Sequence, residues 1–136
     1  MTAVTNARGV LLHTSAASLL HFSATGAGPL LEGTDEADSF WGDSGVVTTL
    51  SGGLGDDIYH LYSRSNAVVE AADAGVDSVE TWMDYRLPEH FENLTVTGNG
   101  RQAVGNALDN IIAGGNGAQT LDGAGGDDVQ IGRAHV

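Results

Sequence analysis

The sequence predicts an all-β chain, a short β-solenoid preceded by an N-terminal capping segment. Three observations predict it. Glycines recur every nine residues, a side chain bearing a polar oxygen follows five positions after most of them, and β-branched or aromatic runs bounded by turns fill the remainder. No helical pattern stands out after residue 30. At 136 residues the chain fits one domain, and 41% hydrophobic residues is too many for a disordered acidic tail. Roughly two thirds of the unfolded surface of a chain this size is buried on folding, so a packed core is expected.

Residues 1–31 are read as a cap or linker. The most apolar stretch, Val10 to Phe22, is broken by His13, Thr14, Ser15 and His21, so it falls short of the ~20 apolar residues of a membrane helix. Arg8, Leu11, Leu12, Leu19, Leu20 and the small residues Ala24 to Gly28 imitate a secretory signal only weakly. The reading adopted is a short helix or strand whose leucines cover one open end of the domain, because repeat folds need such an element.

The module proper is placed at residues 32–136. Gly33 to Trp41 reads GTDEADSFW, Gly42 to Ser51 is ten residues with one insertion, and Gly52 to His60 reads GGLGDDIYH. Gly105 to Ala113, Gly114 to Asp122 and Gly123 to Ile131 follow as three blocks in one frame. Phe40, Leu50, Tyr59, Ile112 and Leu121 take the position expected to point inward; Gln130 departs from it, and Gln119 departs from the acidic position. Between the sets, residues 61–104 lose the glycine period and read as longer strands, Asn66 to Glu70, Ser78 to Tyr85 and Glu92 to Thr97. Alternation along the second of these puts Val79, Thr81, Met83 and Tyr85 on one face and Glu80, Trp82 and Asp84 on the other.

Charge narrows the function. Five arginines against 18 acids give a net charge of −13, so there is no basic face for nucleic acid or anionic lipid. With no cysteine, disulfides and thiolate metal sites are excluded and hard oxygen ligands remain. Glycine at positions one, two and four of GGLGDD permits positive φ and turns carbonyl oxygens inward, while Asp57 at position six adds charge. Calcium takes six to eight oxygens at about 2.3 to 2.6 Å, more than one turn supplies and within reach of two stacked turns.

GGLGDDIYH matches the hemolysin-type calcium-binding repeat GGxGxDxUx, and the module resembles the β-roll of secreted bacterial RTX proteins. VVEAADAGVDSVETWMDY, FENLTVTGNG and GNALDNIIAGGNGAQTLDG extend the likeness over roughly residues 32–132. The resemblance implies a right-handed parallel β-roll in which two nonapeptides make one coil and Ca2+ ions sit between turns one coil apart. Carried onto this chain, it implies that Asp38 and Asp57 share an ion, with Gly53 and Gly55 in the turn, and that Asn110 meets Asp128, with Gly126 beside them. Glu70 and Asp77 match the family's acidic positions, as calcium ligands or as turn-formers. The resemblance further implies a non-catalytic module of a larger secreted, extracellular bacterial protein, exported unfolded and folding where calcium is plentiful.

Competing readings use the same residues. Gly and Asp can make tight turns in a calcium-free solenoid. An outward Trp82 flanked by Glu80 and Asp84 suits a polysaccharide, giving a calcium-dependent carbohydrate-binding module on a polysaccharide-acting enzyme. Glycosidase chemistry would need a carboxylate pair such as Glu89 and Glu92, or Glu80 and Asp84, across a cleft. The histidines lack zinc spacing, no G-x-S-x-G occurs, and no EF-hand frame is present.

Overall fold

A computed structural model of the chain describes residues 3–5, 11–14, 20–23, 30–42, 47–98, 101–115 and 119–132. Among them every regular element is a strand, and no helix is long and apolar enough to cross a membrane. The strands are β1 (Ala3–Thr5), β2 (Leu11–Thr14), β3 (Leu20–Ser23), β4 (Leu30–Glu32), β5 (Asp38–Trp41), β6 (Thr48–Ser51), β7 (Ile58–Leu61) and β8 (Asn66–Val69). They continue with β9 (Ser78–Thr81), β10 (Tyr85–Arg86), β11 (Asn93–Val96), β12 (Gln102–Val104), β13 (Ile111–Gly114), β14 (Thr120–Asp122) and β15 (Val129–Ile131).

From β3 onward the odd-numbered strands pair in parallel as one seven-stranded wall. The even-numbered strands form the opposite wall in two pieces, β4-β6-β8 and β10-β12-β14. The chain is therefore a parallel β-solenoid, each coil made of one strand from either wall and two corners. β1 and β2 pair antiparallel with each other. β3 and β4 already pair in parallel with β5 and β6, so the parallel stacking begins at β3.

Side chains alternate along each strand, and the inward ones make the core. Phe40, Tyr59, Val79, Leu94 and Ile112 line one wall and Leu31, Leu50, Val68 and Ala103 the other, all buried. The Phe40 and Tyr59 rings stack at 4.8 Å, and Phe91 meets Tyr59 edge-on at 5.4 Å. Burying a large apolar side chain contributes roughly 1.5 to 3 kcal/mol, so this column supplies the main stabilisation. At the last coil Gln130 stands where an apolar residue is expected. With its amide nitrogen turned inward, it donates to the Leu121 carbonyl and accepts from the Gly123 N–H, both at 3.1 Å.

The middle segment differs from its sequence reading. Residues 61–104 are not long strands; they continue the solenoid with coils of unequal length. Ser39 pairs with Ile58, 19 residues on; Ile58 pairs with Ser78, 20 on; Ser78 pairs with Asn93, 15 on; Asn93 pairs with Ile111, 18 on. Strand register stays intact because the corners absorb the difference. The expected strand from Ser78 to Tyr85 breaks for the same reason: β9 ends at Thr81, residues 82–84 turn the corner, and β10 starts the opposite wall. β10 pairs with β12 and not with β8, which leaves a gap in that wall.

The corner preceding the odd strands uses two kinds of turn. In 33–38 and 105–110 the second residue closes the turn through its side chain. Thr34 Oγ1 accepts the Glu36 N–H at 3.1 Å, and Asn106 Oδ1 accepts the Leu108 N–H at 2.9 Å. In 52–57 and 123–128 the second residue has positive φ instead, Gly53 at 102° and Ala124 at 68°. These turns lie flat on the side-chain-closed turn below, so a Cβ on Gly53 would strike the Thr34 carbonyl oxygen.

Left-handed backbone costs an alanine roughly 1 to 2 kcal/mol. Ala124→Gly should therefore raise stability by about 1 kcal/mol, less the chain entropy that glycine adds to the unfolded state. Gly53→Ala should lower stability by more than about 2 kcal/mol, since strain and collision add there. Urea unfolding of the two variants measures both; equal and opposite shifts would contradict the added collision at Gly53.

Candidate metal centre

At four of the corners before the odd strands the side chain entering the strand reaches down to the coil before it, and these groups form a ladder. Asp57 Oδ1 accepts the Asp38 N–H at 2.7 Å, Asp77 Oδ1 the Asp57 N–H at 2.9 Å, Glu92 Oε2 the Asp77 N–H at 2.8 Å, and Asp128 Oδ1 the Asn110 N–H at 2.9 Å. The first glycine of each turn makes room for this side chain: a Cβ on Gly33, Gly52, Gly105 or Gly123 would strike the position-six group of its own turn.

At one rung the ladder concentrates charge. Asp57, Glu70 and Asp77, at 1%, 6% and 0% exposure, each bring a carboxylate oxygen within 4.8 Å of the others. Asp57 Oδ2, Glu70 Oε2 and Asp77 Oδ2 are buried without a hydrogen-bond partner. The other Glu70 oxygen is engaged: it accepts the Tyr59 hydroxyl and, at 3.0 Å, the Gly52 N–H. A Cβ on Gly52 would press into both the Asp57 and Glu70 carboxylates.

Burial sets the electrostatics. Desolvation is the largest effect on all three acids and raises their pKa, with Asp57 and Asp77 each pushed up to about 7. For Asp57 and Asp77 the ladder N–H of the coil below, from Asp38 and Asp57 in turn, opposes the shift while neighbouring carboxylates add to it. For Glu70 the Tyr59 hydroxyl and the N–H groups of Gly52, Gly53 and Ala71 favour the charged form. Burial and Glu70 also push the Tyr59 phenol far above its usual range. Three buried carboxylates with three unpartnered oxygens require protons or a cation. An all-carboxylate donor set is hard, and oxygens within 4.8 Å of one another can surround an ion that binds oxygen at about 2.3 to 2.6 Å. The residues fit a hard divalent cation.

The remaining expected ligands are distributed differently. Asp38 neighbours Asp57 as expected, but its Oδ2 accepts the Thr34 N–H at 2.7 Å and hydroxyl at 3.0 Å, inside its own turn. Gly53 faces the acid group with its N–H, and Gly55 packs its carbonyl against Gly75 of the next coil. Asn110 meets Asp128 as expected. Its amide donates to the carbonyls of Phe91 and Glu92 at 3.1 and 3.2 Å and accepts the Asn106 N–H at 2.8 Å, so a neutral group is satisfied there. Gly126 carries φ of 89° against the Leu108 backbone. Among the described residues, the acid group that draws together is Asp57, Glu70 and Asp77. The sequence reading missed the Tyr59 hydroxyl and Gly52 N–H on Glu70, although an inward tyrosine must find a partner for its hydroxyl.

Trp82, Glu80 and Asp84 do not share one face. Glu80 lies on the outer side of the seven-stranded wall and Trp82 begins the corner after it, whereas Asp84 lies at the far end of that corner, accepting the Gln102 N–H at 2.8 Å and lying 3.7 Å from Arg101. Of the carboxylate pairs considered for catalysis, Glu92 is tied to the Asp77 N–H. Glu80 and Asp84 are separated by the turn.

No protein-family model and no solved structure matches the chain. It is 60% identical over 118 residues to the endo-1,3-1,4-beta-glycanase ExsH of Rhizobium meliloti (strain 1021) and 55% identical over 112 residues to EglC, of the same name and organism. These alignments cover 87% and 82% of this chain. The chain spans about a quarter of the length of either relative, 25% and 24%.

The raised pKa values of Asp57 and Asp77 fix a pH dependence. Without divalent cations, the folded chain holds protons on these acids between about pH 4 and 7 while the unfolded chain has lost them. Their contribution is full below pH 4 and lost as pH rises through 7. Melting temperature in chelator should therefore fall from pH 5 to pH 8. A chelated protein equally stable at both would contradict the buried acid group.

Proposed function

We propose that the chain is a calcium-binding, non-catalytic β-roll module of the RTX type, part of a larger secreted bacterial protein that acts on polysaccharide, and that it folds on binding calcium. The observation that carries this reading is the buried group Asp57, Glu70 and Asp77, with its three orphaned oxygens. Those three residues would hold the ion, which would cancel most of their mutual repulsion and tie the turn 52–57 to the longer turn 70–77. Magnesium holds its own waters and demands an octahedron, so a dry site built from three separate carboxylates suits calcium better.

Several further features support the reading. A net charge of −13 opposes compaction until cations bind. A ligand that binds only the native state stabilises it by RT ln(1 + [L]/Kd), so at extracellular calcium levels even a Kd on the order of 10⁻⁴ to 10⁻³ M is useful. The absence of cysteine agrees with export. The homologous stretch is a quarter of each glycanase, which supports a module carried by a larger polysaccharide-acting chain.

The test is Glu70→Gln. The amide keeps an oxygen for the Tyr59 hydroxyl and the Gly52 N–H but removes one buried charge. Calcium affinity measured by calorimetry should fall at least about tenfold, the loss of one charged ligand. The melting temperature of the chelated variant should instead rise at pH 8, because less repulsion remains. Asp57→Asn should behave the same way. Asp56→Ala and Asp127→Ala, at exposed turn positions, should change affinity far less. An unchanged wild-type circular dichroism spectrum and melting temperature across a calcium titration would overturn the reading.

A further inference from the structure

The outer side of the seven-stranded wall carries an aromatic strip that the calcium reading leaves unused. Along one register Trp41, His60, Glu80 and Thr95 lie side by side on successive strands. Two residues further along the chain, at the corner, Tyr62 and Trp82 continue the strip. They are the exposed aromatic residues among those described, each 46% exposed. We infer that this strip binds a neutral, β-linked polysaccharide chain lying along the solenoid axis, with Tyr62 and Trp82 as its stacking residues. The inference rests on the proposed link to a polysaccharide-acting parent.

Chemistry and geometry both point to that ligand. A β-linked pyranose shows an apolar C–H face and a rim of hydroxyls, so its site needs aromatic surface beside short polar groups. The strip offers both: two aromatic rings at the corner, and the Glu80 carboxylate, the His60 imidazole and the Thr95 hydroxyl next to them. Successive strands are ~4.8 Å apart, close to the advance of one pyranose in an extended β-linked chain, so one sugar can meet each coil. A net charge of −13, with Glu80 within the strip, repels polyanions and selects a neutral glycan.

The strip is also preorganised. Trp41 stacks on His60 at 4.6 Å and 17°, and His60 Nδ1 lies 3.8 Å from Glu80. The Trp82 indole N–H donates to the Tyr62 carbonyl at 3.3 Å, and the Arg101 guanidinium lies 5.7 Å from the Trp82 ring centre. Rings already fixed in this way lose little conformational entropy when a ligand arrives.

Affinity electrophoresis of the calcium-loaded 136-residue chain tests the inference, with barley mixed-linkage β-glucan, laminarin or the α-glucan dextran cast in the gel. The β-glucans should retard the wild type and dextran should not. Trp82→Ala and Tyr62→Ala should each weaken retardation about three- to tenfold, the loss of one stacked ring, with calcium-dependent melting unchanged. Wild-type migration unaffected by every β-glucan would overturn the inference, as would equal retardation by dextran. A Trp82→Ala variant that loses stability yet keeps full retardation would also overturn it, making Trp82 a packing residue. Because calcium-dependent melting is measured on the same samples, a failed calcium reading shows there and is distinct from a failed sugar site.

Discussion

The solenoid depends on a hydrogen bond that its strands cannot make. Where a corner enters the seven-stranded wall, the N–H of the position-six residue points at the coil above and has no strand partner. A carboxylate from that coil accepts it, at Asp38, Asp57, Asp77 and Asn110 alike. A buried N–H left unsatisfied costs on the order of 1 to 3 kcal/mol, so each of these four positions needs its acceptor. Glycine at the first position follows from the same need, because the turn folds back on that acceptor.

The ladder accumulates negative charge at the spacing of the coils, and the chain relieves it differently at each rung. Asp38 is bound into its own turn by Thr34. Asn110 replaces the carboxylate with an amide, whose nitrogen finds two carbonyls and whose oxygen finds Asn106. Between Asp57 and Asp77 neither device operates, and Glu70 adds a third carboxylate. The Tyr59 hydroxyl engages only one Glu70 oxygen. A calcium ion is the proposed remedy at this rung. That a neutral amide serves elsewhere in the same ladder shows that three acids are not a requirement of the fold.

Periodicity made the repeat frame legible in the sequence, and with it the inward column of Phe40, Leu50, Tyr59 and Ile112. It also placed Asp38 beside Asp57 and Asn110 beside Asp128. It failed over residues 61–104, because period-nine reasoning assumes turns of constant length. Here one coil grows to 20 residues by lengthening the corner that holds Glu70 and Asp77, and the next shrinks to 15 by reducing a corner to residues 82–84. The register survives in space but not in the sequence. Glu70 and Asp77 are therefore reachable only through family resemblance, and alternation puts Asp84 on a face that it does not share with Glu80. Alternation alone could not show that β9 stops at Thr81, since Trp82 and Met83 are ordinary strand residues.

The irregular coils are also where the two proposed sites meet. Asp57 immediately precedes β7 and Asp77 immediately precedes β9. The outer residues of these strands and of the corners that follow are His60 and Tyr62 on one, and Glu80 and Trp82 on the other. A cation held by Asp57, Glu70 and Asp77 fixes the spacing and register of β7 against β9 at one end. The Trp82 indole bonded to the Tyr62 carbonyl reports that register at the other. The coil pair least constrained by its repeat, with the opposite wall interrupted between β8 and β10, would thus gain its order from the proposed ion. A polysaccharide bound along Tyr62 and Trp82 would contact both strands and favour the same register. By linkage, whatever calcium adds to glycan affinity, glycan must add to calcium affinity. In that arrangement the buried charge that destabilises the calcium-free chain is also what makes the outer surface depend on the ion.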